Sequence, residues 1–259
     1  MSSNSLPTTI SEIRGAARRS RRDELAVEEP LEIRLGFETP EGRTEKSISI
    51  TMRTPGNDAE LATGFLFTEA IIRGNADIAL VKPCGSPAPD SGNHNVIRVE
   101  RESGVQVDLD RLERHFYTTS SCGVCGKASL DALRVLGAKE TAAAGLRFGR
   151  EVLTALPERL RAEQQVFDAT GGLHAAAAFD ASGDLIVVHE DVGRHNAVDK
   201  VVGALLSRNM IPASEFGLLV SGRASFELMQ KAVMAGMPLL AAISAPSSLA
   251  VDLAQEFNV

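Results

Sequence analysis

Two cysteines at CxxC spacing, Cys122 and Cys125, are the side chains of this sequence best suited to covalent chemistry. They sit in Thr118-Thr119-Ser120-Ser121-Cys122-Gly123-Val124-Cys125-Gly126-Lys127. A thiol just before or within the first turn of a helix meets unpaired backbone N–H groups and the positive end of the helix dipole, and both favour the thiolate. Lys127 adds positive charge, and the flanking glycines leave the sulfur approachable. A thiolate is a nucleophile, and it can also accept sulfur and pass it on as a persulfide. Other readings of the pair stay open. Structural zinc wants four ligands, and the sequence holds one CxxC with Cys84 as its third cysteine. A thioredoxin-like redox couple wants its CxxC directly after a strand of a βαβ unit, and Glu113 to Tyr117 is a poor strand. Two inert, buried thiols are the remaining option.

Three polar clusters have the makings of an anion site. In Glu190-Asp191-Val192-Gly193-Arg194-His195-Asn196-Ala197-Val198-Asp199-Lys200, Arg194 can clamp an anion with two donors, His195 titrates near neutrality, and Asn196 follows. In Ser221-Gly222-Arg223-Ala224-Ser225, Gly222 lets a ligand approach the backbone, while Ser221, Arg223 and Ser225 supply donors. Ser244-Ala245-Pro246-Ser247-Ser248 repeats the idea one strand later, with Ser244 and Ser247 as candidates. The competing reading is helix capping, by Asp191 in the first cluster and by serines in the others. Thr170-Gly171-Gly172-Leu173-His174 reads equally as a turn into a strand with a core histidine.

These clusters need elements to hold them. Leu31 to Phe37 and Lys46 to Met52 alternate as strands do, and Thr54-Pro55-Gly56-Asn57-Asp58 turns into a helix carrying Leu61, Phe65, Ala70 and Ile71 or Ile72. After a loop over 85–95, Val96 to Glu100 and Val105 to Leu109 read as strands. Beyond the cysteines comes a helix with Leu130, Leu133 and Leu136 on one face. A hairpin follows, Leu173 to Phe179 and Leu185 to His189, then a helix from His195 to Leu206 and a strand from Phe216 to Val220. A helix from Ser225 to Ala235, a strand from Leu239 to Ile243 and a helix from Ser248 to Glu256 complete the order α-β-β-α-β-α-β-α. The later strands must be parallel with right-handed crossovers, and the three polar clusters fall at their ends, where open α/β sheets bind ligands. The expected organisation is a basic tail without fixed structure over 1–27, a small α+β domain over 28–115, and an α/β domain over 116–259 that carries the CxxC.

Composition narrows the function. The 259 residues contain no Trp and one Tyr, so the core is built from aliphatic side chains. Five arginines against Glu12 give residues 1–22 a net +4; the whole chain is −7, so the rest carries −11. An acidic body argues against nucleic acid as the main partner, and the arginines suit docking to an acidic protein. No apolar run approaches the roughly 20 residues that span a membrane. Arg18-Arg19-Ser20-Arg21-Arg22 leads into Asp23 and Glu24 rather than an apolar stretch, so export is not expected. An odd, low cysteine count is no disulfide framework and points to the reducing cytoplasm.

The motifs at Ser121 to Gly126, Thr170 to His174, Glu190 to Lys200, Ser221 to Ser225 and Ala242 to Pro246, with Thr54-Pro55-Gly56 and Gly64 to Glu69, resemble those of the FdhD/NarQ family of formate dehydrogenase accessory sulfurtransferases. The resemblance runs from about Glu28 to the end, in order. It implies a cytidine-deaminase-like C-terminal domain, a three-layer α/β/α arrangement with a mixed sheet, and a homodimer. It implies an enzyme that takes persulfide sulfur from a cysteine desulfurase and delivers it to the molybdenum bis(molybdopterin guanine dinucleotide) cofactor, bound as substrate, before insertion into formate dehydrogenase. No metal or permanent cofactor is called for. Cys122 matches the family's persulfide-bearing cysteine and Cys125 its CxxC partner. The family pattern continues past the last helix with a strand and a glycine- and arginine-containing segment that contacts the guanine nucleotide; this sequence ends at Phe257-Asn258-Val259. Two other functions compete. A zinc deaminase needs His-x-Glu and Pro-Cys-x-x-Cys, whereas none of the five histidines has Glu two residues on and Cys122 follows Ser121. A chaperone that binds and delivers the cofactor without transferring sulfur would not need Cys122.

Overall fold

The computed structural model describes residues 4–89, 91–104 and 146–259. Cys122, Cys125, the strand expected over Val105 to Leu109, the leucine-faced helix and the boundary expected at 115/116 lie outside the described residues.

The N-terminal segment differs from expectation. Ser5–Arg14 (β1) and Ala17–Ala26 (β2) form a two-stranded antiparallel hairpin. Gly15, at φ +60, makes its turn. Charge density suggested a solvated tail, but the charges pair within the hairpin, along each strand and, through Glu12 and Arg19, across it. Glu12 accepts from Arg14 at 2.9 Å and also pairs with Arg19, and Arg21 meets Asp23 at 2.9 Å. Thr8, Thr9, Ile10 and Ile13 add β-favouring side chains.

Four strands make the first sheet: Glu29–Thr39 (β3), Gly42–Arg53 (β4), Ile78–Cys84 (β5) and Val96–Arg101 (β6), in the order β4-β3-β6-β5. Leu31, Ile33, Leu35 and Phe37 of β3 alternate into the core. The second sheet contains His174–Phe179 (β7), Leu185–Asp191 (β8), Gly217–Arg223 (β9) and Leu239–Ser244 (β10), in the order β10-β9-β7-β8. β9 and β10 run parallel, while β7 is antiparallel to both its neighbours, so the sheet is mixed as expected.

Asp58–Thr68 (α1) and Arg194–Ser207 (α4) pack together between the sheets. One buried cluster runs from Leu31 and Ile97 through Leu66 and Val201 to Leu218 and Val220. The segments expected as two domains therefore share a core. Two glycines set the spacing of this helix pair. A Cβ on Gly64 would collide with the Asp199 carbonyl, and one on Gly203 with the Glu60 carbonyl.

Two helices, Arg150–Glu163 (α2) and Gln165–Thr170 (α3), stand where the sequence suggested none. Leu156 and Leu160 of α2 bury against Ala175, Ala177, Phe179 and Leu219 on the second sheet's other face. Pro157 lies on the exposed side of α2, where the missing N–H is tolerated. Phe226–Ala235 (α5) and Ser248–Phe257 (α6) follow β9 and β10. The four alanines Ala175–Ala178 let helices approach both faces of β7 closely. Helix, sheet, helix and second sheet thus stack in layers. No helix among the described residues is long and apolar enough to cross a membrane.

Replacing Gly203 with Ala forces backbone apart at the α1–α4 crossing. We expect Gly203→Ala to lose about 2 kcal/mol or more of unfolding free energy, read from urea denaturation. A wild-type midpoint would contradict the close crossing.

Candidate functional site

The polar loop after β8 is held by a buried ion pair. Asp191 is fully buried and Lys200 is 2% exposed. Their Nζ–Oδ2 distance is 2.7 Å. Asp191 also accepts from the Thr54 and Gly193 N–H groups, at 3.2 and 2.8 Å, and from Asn196 Nδ2 at 3.0 Å. Lys200 donates to the Thr54 carbonyl at 2.9 Å, and the Val192 N–H donates to Thr54 Oγ1 at 3.1 Å. Asn196 Nδ2 reaches the Met52 carbonyl at 2.7 Å, and Thr51 Oγ1 donates to Asn196 Oδ1 at 3.1 Å. The end of β4 is thereby stitched to the start of α4, across two sheets. Beside it Arg53, fully buried, grips Asp58 through two bonds of 2.9 and 3.0 Å.

This network fixes an edge of the second sheet. His174 lies opposite Asp191 in the β7–β8 register, and a Cβ on Gly222 would sit 3.8 Å from His174 Nδ1. Arg223 of β9 and Ser244 of β10 are register partners, both exposed. Thus the expected clusters around Arg194, Ser221–Ser225 and Ser244–Ser247 meet at one edge. Three helices begin there: α4 behind Gly193, α5 behind Ser225 and α6 behind Ser247. Free N–H groups and three aligned helix dipoles give the edge positive potential.

The individual candidates divide. Ser221 Oγ accepts from the Ala175 N–H at 2.9 Å, which ties β9 to β7. Ser247 Oγ caps α6 by accepting from the Ala250 N–H at 3.4 Å, the capping role weighed for it above. Asn196 is committed to the network. Ser225 stands at the N-cap of α5 without a side-chain capping bond. Arg194 Nε is buried and has no partner among the described residues. The exposed His174 has its pKa lowered, by partial burial first and then by Arg194, against the pull of Asp191.

His195 points elsewhere, into a cavity of about 550 Å³ between β4, α1, α4 and α5. Its Nε2 is buried without a hydrogen bond among the described residues. Burial, then Lys231 and Arg194, lower its pKa to about 4, so the ring is neutral at pH 7. The cavity is acidic, lined by Glu28, Glu69, Asp199 and Glu227 against a single Lys231. Lys231 lies 2.8 and 2.9 Å from the two Asp199 oxygens, and Thr68 Oγ1 donates to Asp199 at 2.8 Å. Burial pushes Asp199 up, to about 6, against the pull of Lys231 and Thr68. Burial also works against the Lys231 ammonium, yet Asp199 and Glu69 hold its pKa above the ordinary lysine value. We take the pair as charged at neutral pH, because three donor contacts converge on the carboxylate.

Asp191, Lys200, Asp199 and Lys231 carry the architecture and were not singled out as site residues. The available signal was spacing: Asn196, Asp199, Lys200 and Gly203 recur at helical intervals on α4, a polar stripe on an otherwise apolar helix. Glu190 also proves structural, accepting from the Val166 and Phe167 N–H groups at 3.0 and 2.8 Å and so capping α3. Cys84 is a free thiol at the end of β5, on the other sheet.

Comparison with known proteins bears on this arrangement. The model of the FdhD/NarQ family matches residues 26–259. A protein of Streptomyces coelicolor named sulfur carrier protein FdhD is 54% identical over 246 residues, covering 94% of this chain and 84% of its own. One of the same name from Saccharolobus solfataricus is 44% identical over 234 residues, covering 90% and 82%. A crystal structure from Desulfotalea psychrophila, described as a candidate formate dehydrogenase accessory protein, superposes with a TM-score of 0.70 at 21% identity, covering 99% of this chain and 90% of that one. At that identity it supports the fold alone.

Two outcomes follow from the buried groups. Lys200→Met leaves Asp191 buried beside no cation, so unfolding free energy should fall by about 3 kcal/mol or more; a loss under about 1 kcal/mol in urea titration would show that the pair is not holding the loop. For His195, folding lowers the pKa from 6.5 to about 4. The unfolded chain then takes up the proton first. The His195 contribution is complete above pH 6.5 and is lost as pH falls towards 4. His195→Gln should flatten the decline in the urea midpoint between pH 7 and 5, and an unchanged decline would contradict the burial of that ring.

Proposed function

Because the chain belongs to the FdhD/NarQ family, we propose that it is a sulfurtransferase that accepts persulfide sulfur from a cysteine desulfurase and passes it to the molybdenum bis(molybdopterin guanine dinucleotide) cofactor for formate dehydrogenase. The observation that carries this reading is the family match over residues 26–259, a span that includes Cys122 and Cys125. Relatives bearing the name sulfur carrier protein, at 42–54% identity, support it.

The chemistry balances as two exchanges. The Cys122 thiolate attacks the outer sulfur of the desulfurase persulfide, the S–S bond of that persulfide breaks, and the desulfurase cysteine leaves as a thiolate. Cys122 then carries the sulfane sulfur. In the second step the Cys125 thiolate attacks Cys122 Sγ and expels the terminal sulfur as sulfide, which becomes a ligand of the cofactor metal. The two electrons come from the thiols, which end as a Cys122–Cys125 disulfide; a cellular dithiol returns them to the reduced state.

The sheet edge supports a role in holding the cofactor, whose phosphates are anionic. Arg194, Arg223 and the N-termini of α4 and α5 offer donors there, and Gly222 leaves the backbone open to a bulky ligand. Ser244 extends the same surface, while Ser225 is buried at the start of α5. His195 and Asn196 act behind it in this reading, Asn196 by fixing the loop that carries Arg194. The acidic cavity that His195 faces repels phosphate, so the cofactor's anionic groups belong on the Arg194 side.

Mass spectrometry of the protein after incubation with a cysteine desulfurase and cysteine should find one added sulfur atom on Cys122. No addition, or the same addition to Cys122→Ala, overturns the assignment. Arg194→Ala combined with Arg223→Ala should weaken binding of guanosine diphosphate, used as a probe for the cofactor's nucleotide end, about tenfold or more while sulfur loading continues. Unaltered binding would remove the edge from the account.

A further inference from the structure

The acidic cavity that His195 faces has no part in sulfur transfer, and it opens along a strand edge. β4 is the outer strand of its sheet and pairs only with β3. Opposite Ile50 stands Glu32, whose N–H turns the other way, to the Asn95 carbonyl at 2.9 Å. Opposite Met52 stands Pro30, which has no N–H to give. Ile50 and Met52 therefore aim their backbone groups away from β3, as alternate residues of an antiparallel pair do. The Met52 carbonyl is met by Asn196 at 2.7 Å. The Ile50 N–H and carbonyl and the Met52 N–H remain on the open edge, the arrangement that accepts an added strand.

The cavity lies under this edge. Ser49 and Thr51 line it from the inner face of β4, and Ile50 and Met52 border it from the outer face. Those two apolar side chains are 68% and 47% exposed. A segment added to β4 sends alternate side chains into the cavity and the others over Ile50 and Met52. The two positions ask for different chemistry. Inside, Glu28, Glu69, Asp199 and Glu227 stand against Lys231 alone, since the His195 ring is neutral. Lys231 is spent on Asp199 and Glu69, which leaves negative charge in excess at the exposed Glu28 and Glu227. The buried His195 Nε2 adds a polar atom with no hydrogen bond among the described residues.

We propose that this edge docks an extended segment of a partner protein in which basic and apolar residues alternate. Its backbone pairs with Ile50 and Met52 of β4. Its arginine or lysine side chains enter the cavity towards Glu28 and Glu227, where His195 Nε2 accepts from one of them. Its apolar side chains cover Ile50 and Met52 outside. Charge selects the partner, because four carboxylates against one ammonium turn away acidic or phosphorylated segments. The Arg194 edge lies on another side of α4, so a docked segment leaves it open to an anion.

The test is fluorescence anisotropy on the full chain with a labelled hexapeptide of alternating valine and arginine, blocked at both ends. It should bind saturably. The same peptide with glutamate for arginine should not bind, and arginine amide at the same concentration should not displace the parent. Glu28→Lys with Glu227→Lys should weaken binding about tenfold or more. Glu151→Lys with Glu158→Lys, the same charge change on exposed positions of α2, should leave it unaltered. Methyl groups on the arginine amide nitrogens, or on the valine ones, block opposite edges of the extended peptide. One methylated peptide should bind as the parent does and the other should not. No binding of the basic peptide, equal loss from the two pairs of substitutions, or equal behaviour of the two methylated peptides would each overturn the proposal. Sulfur loading of Cys122 is read separately, so failure here leaves that reading to its own test.

Discussion

The structure turns on one buried ion pair, Lys200 with Asp191. Each charge costs several kcal/mol to desolvate, and here that cost is offset by a full set of partners. Asp191 receives four donors and Lys200 also meets a carbonyl. Those partners come from the residue that follows β4 and from the loop and first turns of α4. The pair therefore determines where β4 ends relative to where α4 begins, and with it the direction of the Arg194 loop. The glycine-spaced α1–α4 contact works with it, since only a close helix pair brings Thr54 within reach of Lys200.

The first turn of α4 separates two environments of opposite charge. Arg194 faces an edge where three helices begin, suited to anions. One residue on, His195 faces a slot lined by carboxylates. An α-helix turns about 100° per residue, so adjacent side chains serve different surfaces from one anchored start. This division lets a single polar motif border two distinct surfaces.

Much of the fold was legible in the sequence. Leu31 to Phe37 shows the period of two that β3 obeys, and the apolar run from Phe216 to Val220 announced the buried β9. The resemblance carried by Glu190 to Lys200 located the edge. What was missed has physical causes. Net charge made 1–22 look like a tail, whereas the strands pair residue for residue and Glu12 meets Arg19 across them. Pro157 masked α2, although it lies on the exposed side of that helix. Pro83 hid β5, an outer strand where a missing donor is tolerated. In the site, single-residue reasoning favoured Ser221, Ser247 and Asn196 for a ligand; each spends its side chain on the protein's own backbone. The buried pairs stayed unseen because Asp and Lys read as surface residues until a polar stripe on α4 is followed to its partners on β4 and α5.

The central claim is that this protein passes sulfur through Cys122 rather than merely carrying a cofactor. Formate dehydrogenase activity in cells whose own copy is deleted tests it most directly. The wild-type chain should restore activity, Cys122→Ala should leave it at the background of the deletion, and Cys125→Ala should lose it to a different extent. Full activity with Cys122→Ala would contradict the account and make the protein a binder without sulfur chemistry.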